Sequence, residues 1–432
     1  MARGGVQAME ANGIDAMLRH KRVLAASLIG TAVEFYDFYI YATAASLVFG
    51  PLFFPASSPS AQLMAAYGSL ALAFFARPLG AAVFGHYGDR IGRKATLVTS
   101  LMLMGASTLA IGFLPTYQMI GWWAPLILCI LRFGQGFGLG GEWGGAALLA
   151  VENAPPGWRA RFGMFPQLGA PVGFLAANGL FLILGIFLTD EDFFAWGWRL
   201  PFLGSAVLVF LGLWVRLKLS ETPEFAAAQA EAPPPALPLA TLFSHHLGAA
   251  IAGTFAVVAC FAVYYIATAF ALGYGTTTLN IGRETFLAIQ LGAILFMALS
   301  IIIAGWWADK TSPTRVLVAG CIGTVLMGVI FGPAMGTGQL LPIFLILSLA
   351  LFLMGFVYGP LGAYLPHLFP VQLRYTGASF SFNLGGIIGG ALAPIVATWL
   401  IQVQGVELVG LYMSAAAAIS LGGLWFTSRK PA

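Results

Sequence analysis

Twelve apolar runs, each long enough to cross a bilayer as a helix, divide the sequence: 23–50, 60–85, 95–115, 122–150, 161–188, 198–219, 247–275, 284–308, 314–334, 338–363, 374–401 and 406–427. About 20 such residues span the hydrocarbon core of a membrane. A backbone in lipid must satisfy its own polar groups, which leaves helices or a closed barrel. Barrel strands alternate apolar and polar residues over about ten positions, whereas stretches such as 343–356 run on without alternation. The expected fold is an all-α membrane protein. A composition of 59% hydrophobic and 8% charged residues fits no soluble class. Glycine, at 54 of 432 residues, is well above its average share of about 7% and suits helices packed closely in lipid.

Lysine and arginine exceed aspartate and glutamate by 20 to 16, but where the charges fall says more than the sum. With the N-terminus in the cytoplasm, 16 of the 20 basic residues lie on the cytoplasmic side, among them Arg19, Lys21, Arg22, Arg90, Arg93, Lys94, Arg159, Arg161, Lys310, Arg374, Arg429 and Lys430. This positive-inside bias places both termini in the cytoplasm. The partner it implies is the lipid bilayer, not a nucleic acid. The run after Arg22 carries Glu34 and Asp37 and continues to residue 50, so it reads as a retained first span and not as a signal peptide. Cys129, Cys260 and Cys321 form no CxxC pair and read as packed thiols. His245 and His246 have no third ligand nearby, so no metal site is expected.

The longest polar break, 220–246, contains Pro233, Pro234 and Pro235 and separates six spans from six. The expected organisation is a cytoplasmic segment 1–22, a bundle 23–219, a linker 220–246, a bundle 247–427 and a tail 428–432. The halves look duplicated. Glu152, Pro155 and Arg159 after the fourth span recur as His367, Pro370 and Arg374 after the tenth, and Gly85 and Asp89 recur as Gly305 and Asp309. Two parallel six-helix repeats are an architecture of secondary transporters, with the substrate site near the midplane between the halves.

Ionisable residues deep in a span are costly and default to a functional reading. There are five: Glu34, Asp37, Arg77, Arg132 and Glu142. Glu34 and Asp37 stand at i and i+3, about 60° apart on one helix face, close enough to couple their titrations. Asp37, deeper in its run, is the first choice of proton carrier, with Glu34 and Glu142 as further acidic candidates. On a straight helix Arg132, Gln135, Leu139 and Glu142 would share an arc of about 80° facing the interior. Arg132 and Arg77 offer planar forks suited to a carboxylate. The five charges sum to −1, so one bound proton would neutralise the set. The C-terminal half has no mid-span charge and would contribute Tyr264, Tyr265, Gln290, Tyr358, Tyr364 and Asn383; His367 reads as interfacial.

Gly136–Gly141 matches the dinucleotide fingerprint GxGxxG but continues an apolar helix, without the strand and turn that chemistry needs. No P-loop, HExxH or serine elbow is present. An enzyme is not expected, and the only coupling agent expected is the proton.

The segment Gly85-His86-Tyr87-Gly88-Asp89-Arg90-Ile91-Gly92-Arg93-Lys94 resembles the signature loop between spans 2 and 3 of the major facilitator superfamily. Val33 to Phe38, Arg77-Pro78-Leu79-Gly80, Arg132 to Gly145 and Arg374-Tyr375-Thr376-Gly377-Ala378 resemble its metabolite:proton symporter subfamily, near the bacterial inner-membrane metabolite transport proteins and the shikimate transporter. The resemblance implies twelve helices in two six-helix bundles related by pseudo-two-fold symmetry, rocking about a cavity lined by spans 1, 4, 7 and 10. It further implies a functional monomer in the bacterial inner membrane, and it puts Tyr264 and Tyr358, on spans 7 and 10, at the cavity. Asp89 would brace the outward-open state against the start of span 11, near Thr376 and Gly377. Arg90, Arg93 and Lys94 would hold the cytoplasmic gate, together with Gly85, Gly92, Glu152, Arg159, Asp309 and Arg374. The second copy departs from the pattern: Thr311 to Arg315 follow Asp309-Lys310 where Gly-Arg-Arg is usual, so the two gates should differ in strength. Gly169 to Gly173 in span 5 partly resemble an element of antiporters, though such residues commonly serve packing. The expectation is proton-coupled import of a small organic metabolite bearing a carboxylate. The alternatives are proton-driven export or a receptor on the same fold.

Overall fold

Interruptions in the apolar helices determine where this chain bends. The computed structural model describes residues 13–55, 58–91, 93–140, 142–217 and 238–428, of which 85–91, 93–97, 142, 215–216, 238, 372 and 428 are described by backbone alone. Eleven helices among them are long and apolar enough to cross a membrane: Lys21–Phe53, Pro59–Phe84, Trp123–Glu152, Arg159–Phe187, Gly197–Trp214, Leu247–Thr277, Arg283–Lys310, Pro313–Gly336, Leu340–His367, Arg374–Val403 and Glu407–Thr427. The shorter apolar helix Val98–Gly112 makes the third crossing. These are spans 1 to 12 in chain order. The protein is a multi-pass, all-helical membrane protein, with no strand among the described residues.

Helix details refine the spans read from the sequence. The run 122–150 corresponds to the span Trp123–Glu152, described as Trp123–Leu139 and Glu142–Glu152. The interior stripe through Arg132, Gln135 and Leu139 is therefore described only as far as Leu139, and the Glu142 side chain lies outside the described residues. Within the expected linker 220–246, Pro238–His245 forms a short helix. Span 10 breaks at Gly359-Pro360 into Leu340–Tyr358 and Leu361–His367, where proline lacks the N–H to continue the ladder.

Three spans contain a π turn: Ala45–Phe49 in span 1, Ile266–Phe270 in span 7 and Ile387–Ala391 in span 11. The first two begin 221 residues apart (266 less 45) and extend the duplication into the backbone itself. A π turn leaves carbonyls to be satisfied from outside the helix. In span 7, Gln290 Nε2 donates to Ala267 O (3.1 Å) and Thr268 O (2.8 Å) from the same half. Ser46 Oγ (3.0 Å) and Tyr67 Oη (2.6 Å) donate to Ala269 O from the other half.

The glycines of span 4 are packing surfaces. A Cβ at Gly138 would stand 2.8 Å from Ser100 O, and Gly136 and Gly140 face the backbones of Ala73 and Arg77 just as closely. Span 4 thereby seats between spans 2 and 3, which accounts for the GxGxxG pattern without a nucleotide. Gly173 likewise abuts span 1, where a Cβ would lie 2.8 Å from Ala32 O. Packing thus accounts for the span 5 element too.

Candidate functional site

Spans 1, 2, 5, 7, 10 and 11 enclose a cavity of ≈ 20 Å³ between the two halves, with Arg77, Tyr39, Phe261, Tyr264, Tyr265 and Tyr358 among its walls. That volume admits about one water, so the halves are closed around less than a substrate's bulk. Among the described residues Arg77 is the sole charged side chain on this wall, and it is 4% exposed. Its guanidinium centre lies 4.3 Å from the centroid of Phe38 and 4.7 Å from that of Phe74, a cation–π seat. Its Nε makes no hydrogen bond, and neither the Tyr264 nor the Tyr358 hydroxyl makes a well-formed one. Tyr39 stacks on Tyr264 at 5.1 Å, and Tyr265 meets both Tyr264 (5.3 Å) and Phe74 (5.3 Å) edge-on. The wall is an aromatic box with one cationic fork.

Arg132 has a different setting. It is fully buried and does not line the cavity. Its guanidinium centre lies 4.2 Å from the Phe38 centroid and 4.0 Å from that of Tyr41, and Nη1 donates to Gln135 Oε1. Gln135 Nε2 in turn donates to Asp37 O (3.0 Å) and Thr108 Oγ1 (2.8 Å), and Thr108 Oγ1 donates to Asp37 Oδ2 at 3.2 Å. Asp37 and Glu34 are both buried. Arg77 is close enough to Glu34 to attract it and to Arg132 to repel it. Among the described side chains no carboxylate forms an ion pair with either arginine. An anion entering the cavity would meet Arg77 and offset the repulsion between the two guanidinium groups.

The remaining sequence candidates disperse. Asn383 Nδ2 donates to Gly140 O of span 4 across the halves at 2.9 Å and is absent from the cavity wall. Tyr364 pairs its hydroxyl with Thr427 at 2.6 Å, also away from that wall. Gln290 belongs to a second, smaller chamber. Tyr39 and Phe261, which sequence reasoning left out, line the central one. Gln167, also unforeseen, ties the halves together: its Nε2 donates to Tyr358 O at 2.7 Å and its Oε1 accepts from Trp143 at 3.1 Å.

On the face where span 5 begins and span 8 ends, Asp309 reaches across the halves. Its carboxylate accepts from Ala160 N (2.8 Å), Arg161 N (3.0 Å) and Arg161 Nε (2.9 Å). A carboxylate from one half thus caps the first turn of a helix in the other, where free N–H groups and the helix dipole both favour it. Arg161, also missed from sequence, is held over Trp158 at 3.7 Å. Arg159 Nη1 meets His367 Nε2 at 2.9 Å on the same face. Glu152 closes the helix Glu142–Glu152, and Arg374 opens span 11. Gly85, Asp89, Arg90, Gly92, Arg93 and Lys94 lie outside the residues whose side chains are described. On the opposite face Arg283 pairs with Asp190 at 3.0 Å, but the Asp190 side chain is 87% exposed, so this pair contributes little. Asp309→Ala should therefore act mainly on its own face. Removing one member of a buried pair costs about 3–5 kcal/mol, and hydrogen exchange at the amides of Ala160 and Arg161 should accelerate at least about tenfold. Unchanged exchange there would show that the cap does not hold the face shut.

The profile described as "Sugar (and other) transporter" matches residues 23–233. The inner membrane metabolite transport protein YhjE of Escherichia coli (strain K12) is 49% identical over 411 residues, 94% of this chain and 93% of that protein. The shikimate transporter of the same strain is 37% identical over 413 residues, 94% of each chain. Among solved structures, the partially occluded inward-open xylose transporter XylE from Escherichia coli superposes with a TM-score of 0.71 at 17% identity, covering 95% of this chain and 97% of that one. At that identity the likeness shows the fold alone. Relatives of near-complete coverage that are transporters exclude an enzyme, and the chain belongs to the sugar and metabolite transporters of the major facilitator superfamily.

Proposed function

We propose that the protein imports a small carboxylate-bearing metabolite together with a proton, by alternating access about the central cavity. The observation that carries this reading is Arg77: a buried cation on the cavity wall, with an unused donor and no ion pair to a described carboxylate. An ionisable group deep in a span is costly and defaults to a functional reading, and an anion in the cavity is the partner this charge favours. Tyr264 and Tyr358 supply hydroxyls on the same wall, while Arg132 and Gln135 position the backbone and carboxylate of Asp37. Asp37, with Glu34 beside it and Glu142 further along, carries the coupling proton; no other cofactor enters the reading. The segments 23–219 and 247–427 are the rocking units, and Arg159, Asp309 and the segment from Gly85 to Lys94 form the gate on the cytoplasmic face. The carrier works as a monomer in the bacterial inner membrane with both termini in the cytoplasm.

Labelled shikimate, benzoate and proline, with xylose as a neutral control, test the proposal in proteoliposomes. An inside-alkaline gradient should drive at least one of the acids several-fold above equilibrium, and a protonophore should abolish the accumulation. Accumulation of xylose alone, or of an acid regardless of the gradient, would overturn the reading.

A further inference from the structure

A second chamber of ≈ 10 Å³ adjoins the central cavity, and Tyr39 is a wall of both. Its polar lining is Thr43, Asn178, Thr268 and Gln290, with no charged residue among the described ones. Gln290 is 1% exposed and spends its amide N–H groups on the carbonyls of the span 7 π turn. Its Oε1, equally buried, has no donor. Thr43 Oγ1 donates to Asn178 Oδ1, which leaves the Asn178 amide N–H groups to donate. Thr268 Oγ1 donates to Tyr264 O at 2.6 Å and keeps its lone pairs.

We propose that this chamber is a hydroxyl-binding subsite, so that the transported acid carries hydroxyl groups on the end remote from its carboxylate. The inference rests on the reading of Arg77 as the anion seat and adds the other end of the substrate. A buried acceptor without a donor beside an amide donor matches a group that both gives and takes a hydrogen bond, which a hydroxyl does and a methyl or methylene does not. The absence of any charged side chain from the lining argues against an ammonium group there. Tyr39 is the partition. It stacks on Phe35 at 5.4 Å and on Tyr264 at 5.1 Å, and turning its ring aside would join the cationic chamber to the neutral one.

Two acids that share a ring and a carboxylate and differ only in hydroxyl groups separate the possibilities: shikimate and cyclohex-1-enecarboxylate, titrated onto the full-length protein by thermal shift. The wild type should bind shikimate at least about tenfold more tightly, because a site built for hydroxyls leaves its polar groups unpaired when they are missing. Thr43→Val and Asn178→Ala should each cut that preference several-fold and leave the Kd of the deoxy acid unchanged, which also shows that the variants fold. Equal binding of the two acids by the wild type, or a preference that survives both variants, overturns the hydroxyl subsite while leaving the anion seat in place. Failure of both acids to bind removes the anion seat along with it.

Discussion

Arg77→Gln is expected to weaken binding of a transported acid by more than about 30-fold. Among the described residues Arg77 is the only charged side chain on the cavity wall, and it is held there from several sides. The faces of Phe38 and Phe74 support its guanidinium plane. Gly80 and Gly140 let span 4 press against span 2 so closely that Gly140 abuts the Arg77 backbone. Truncating one partner of a buried, hydrogen-bonded charge pair costs about 2–5 kcal/mol, and 1.4 kcal/mol is tenfold in Kd. Glutamine keeps much of the side chain's length and polarity, so a large loss would report the charge and the fork and not a collapsed cavity. Arg77→Lys should fall between, because an ammonium retains the charge but neither stacks nor bridges two carboxylate oxygens. Counterflow exchange and thermal-shift titration with the same acid would measure both variants. Arg132 serves as the contrast. Its charge is enclosed by Phe38, Tyr41 and Gln135 and does not reach the cavity, so Arg132→Lys should disturb the Asp37 network and stability more than the Kd of the acid. A Kd untouched by Arg77→Gln would sink the anion seat.

The twelve crossings were legible because apolar length is the property to which a bilayer responds, and it is written in consecutive residues. The partner of Asp309 was half legible: the duplication pointed to that carboxylate, but Arg161 had been absorbed into the positive-inside count, and only the fold brings it to 2.9 Å. The rank of the two buried arginines was not legible at all. Each is a cation deep in a span, and which one meets the cavity depends on the rotation of spans 2 and 4 about their axes, set by contacts such as Gly136 on Ala73. The π turns were hidden for a similar reason. Ile266 to Phe270 contain neither proline nor glycine, and the turn persists because Gln290, Ser46 and Tyr67 arrive from three other spans to satisfy its carbonyls. Tyr364 and Asn383 were placed at the cavity because polar residues in a span suggest an interior face. The structure directs one to Thr427 and the other to Gly140. Tyr39 was overlooked because an aromatic residue in an apolar run looks the same whether it packs or partitions a binding site.

Asp37→Asn should abolish accumulation of the acid while leaving exchange within about two- to threefold of wild type. A carboxylate moving with one proton crosses as a neutral pair, so the pH difference alone supplies the drive, and each unit is worth 1.36 kcal/mol, or about tenfold in accumulation. With two units imposed, the wild type should approach about 100-fold and the variant should stay near equal concentrations on both sides. Asparagine at position 37 keeps an oxygen to accept from Thr108 and leaves the backbone carbonyl in place for Gln135. It therefore mimics the protonated acid, and the loaded carrier should still reorient and exchange. Raising the external pH should slow uptake in the wild type, as the fraction carrying a proton falls, and should leave exchange by the variant unaffected. Glu34 stands three residues away and is also buried, and on the proposed sharing of one proton by the two carboxyl groups Glu34→Gln should shift the pH at which uptake falls without removing the drive. If Asp37→Asn still accumulates the acid and Glu34→Gln does not, the two roles are exchanged. If both variants accumulate it, the proton travels by another route and span 1 is only the wall of the cavity.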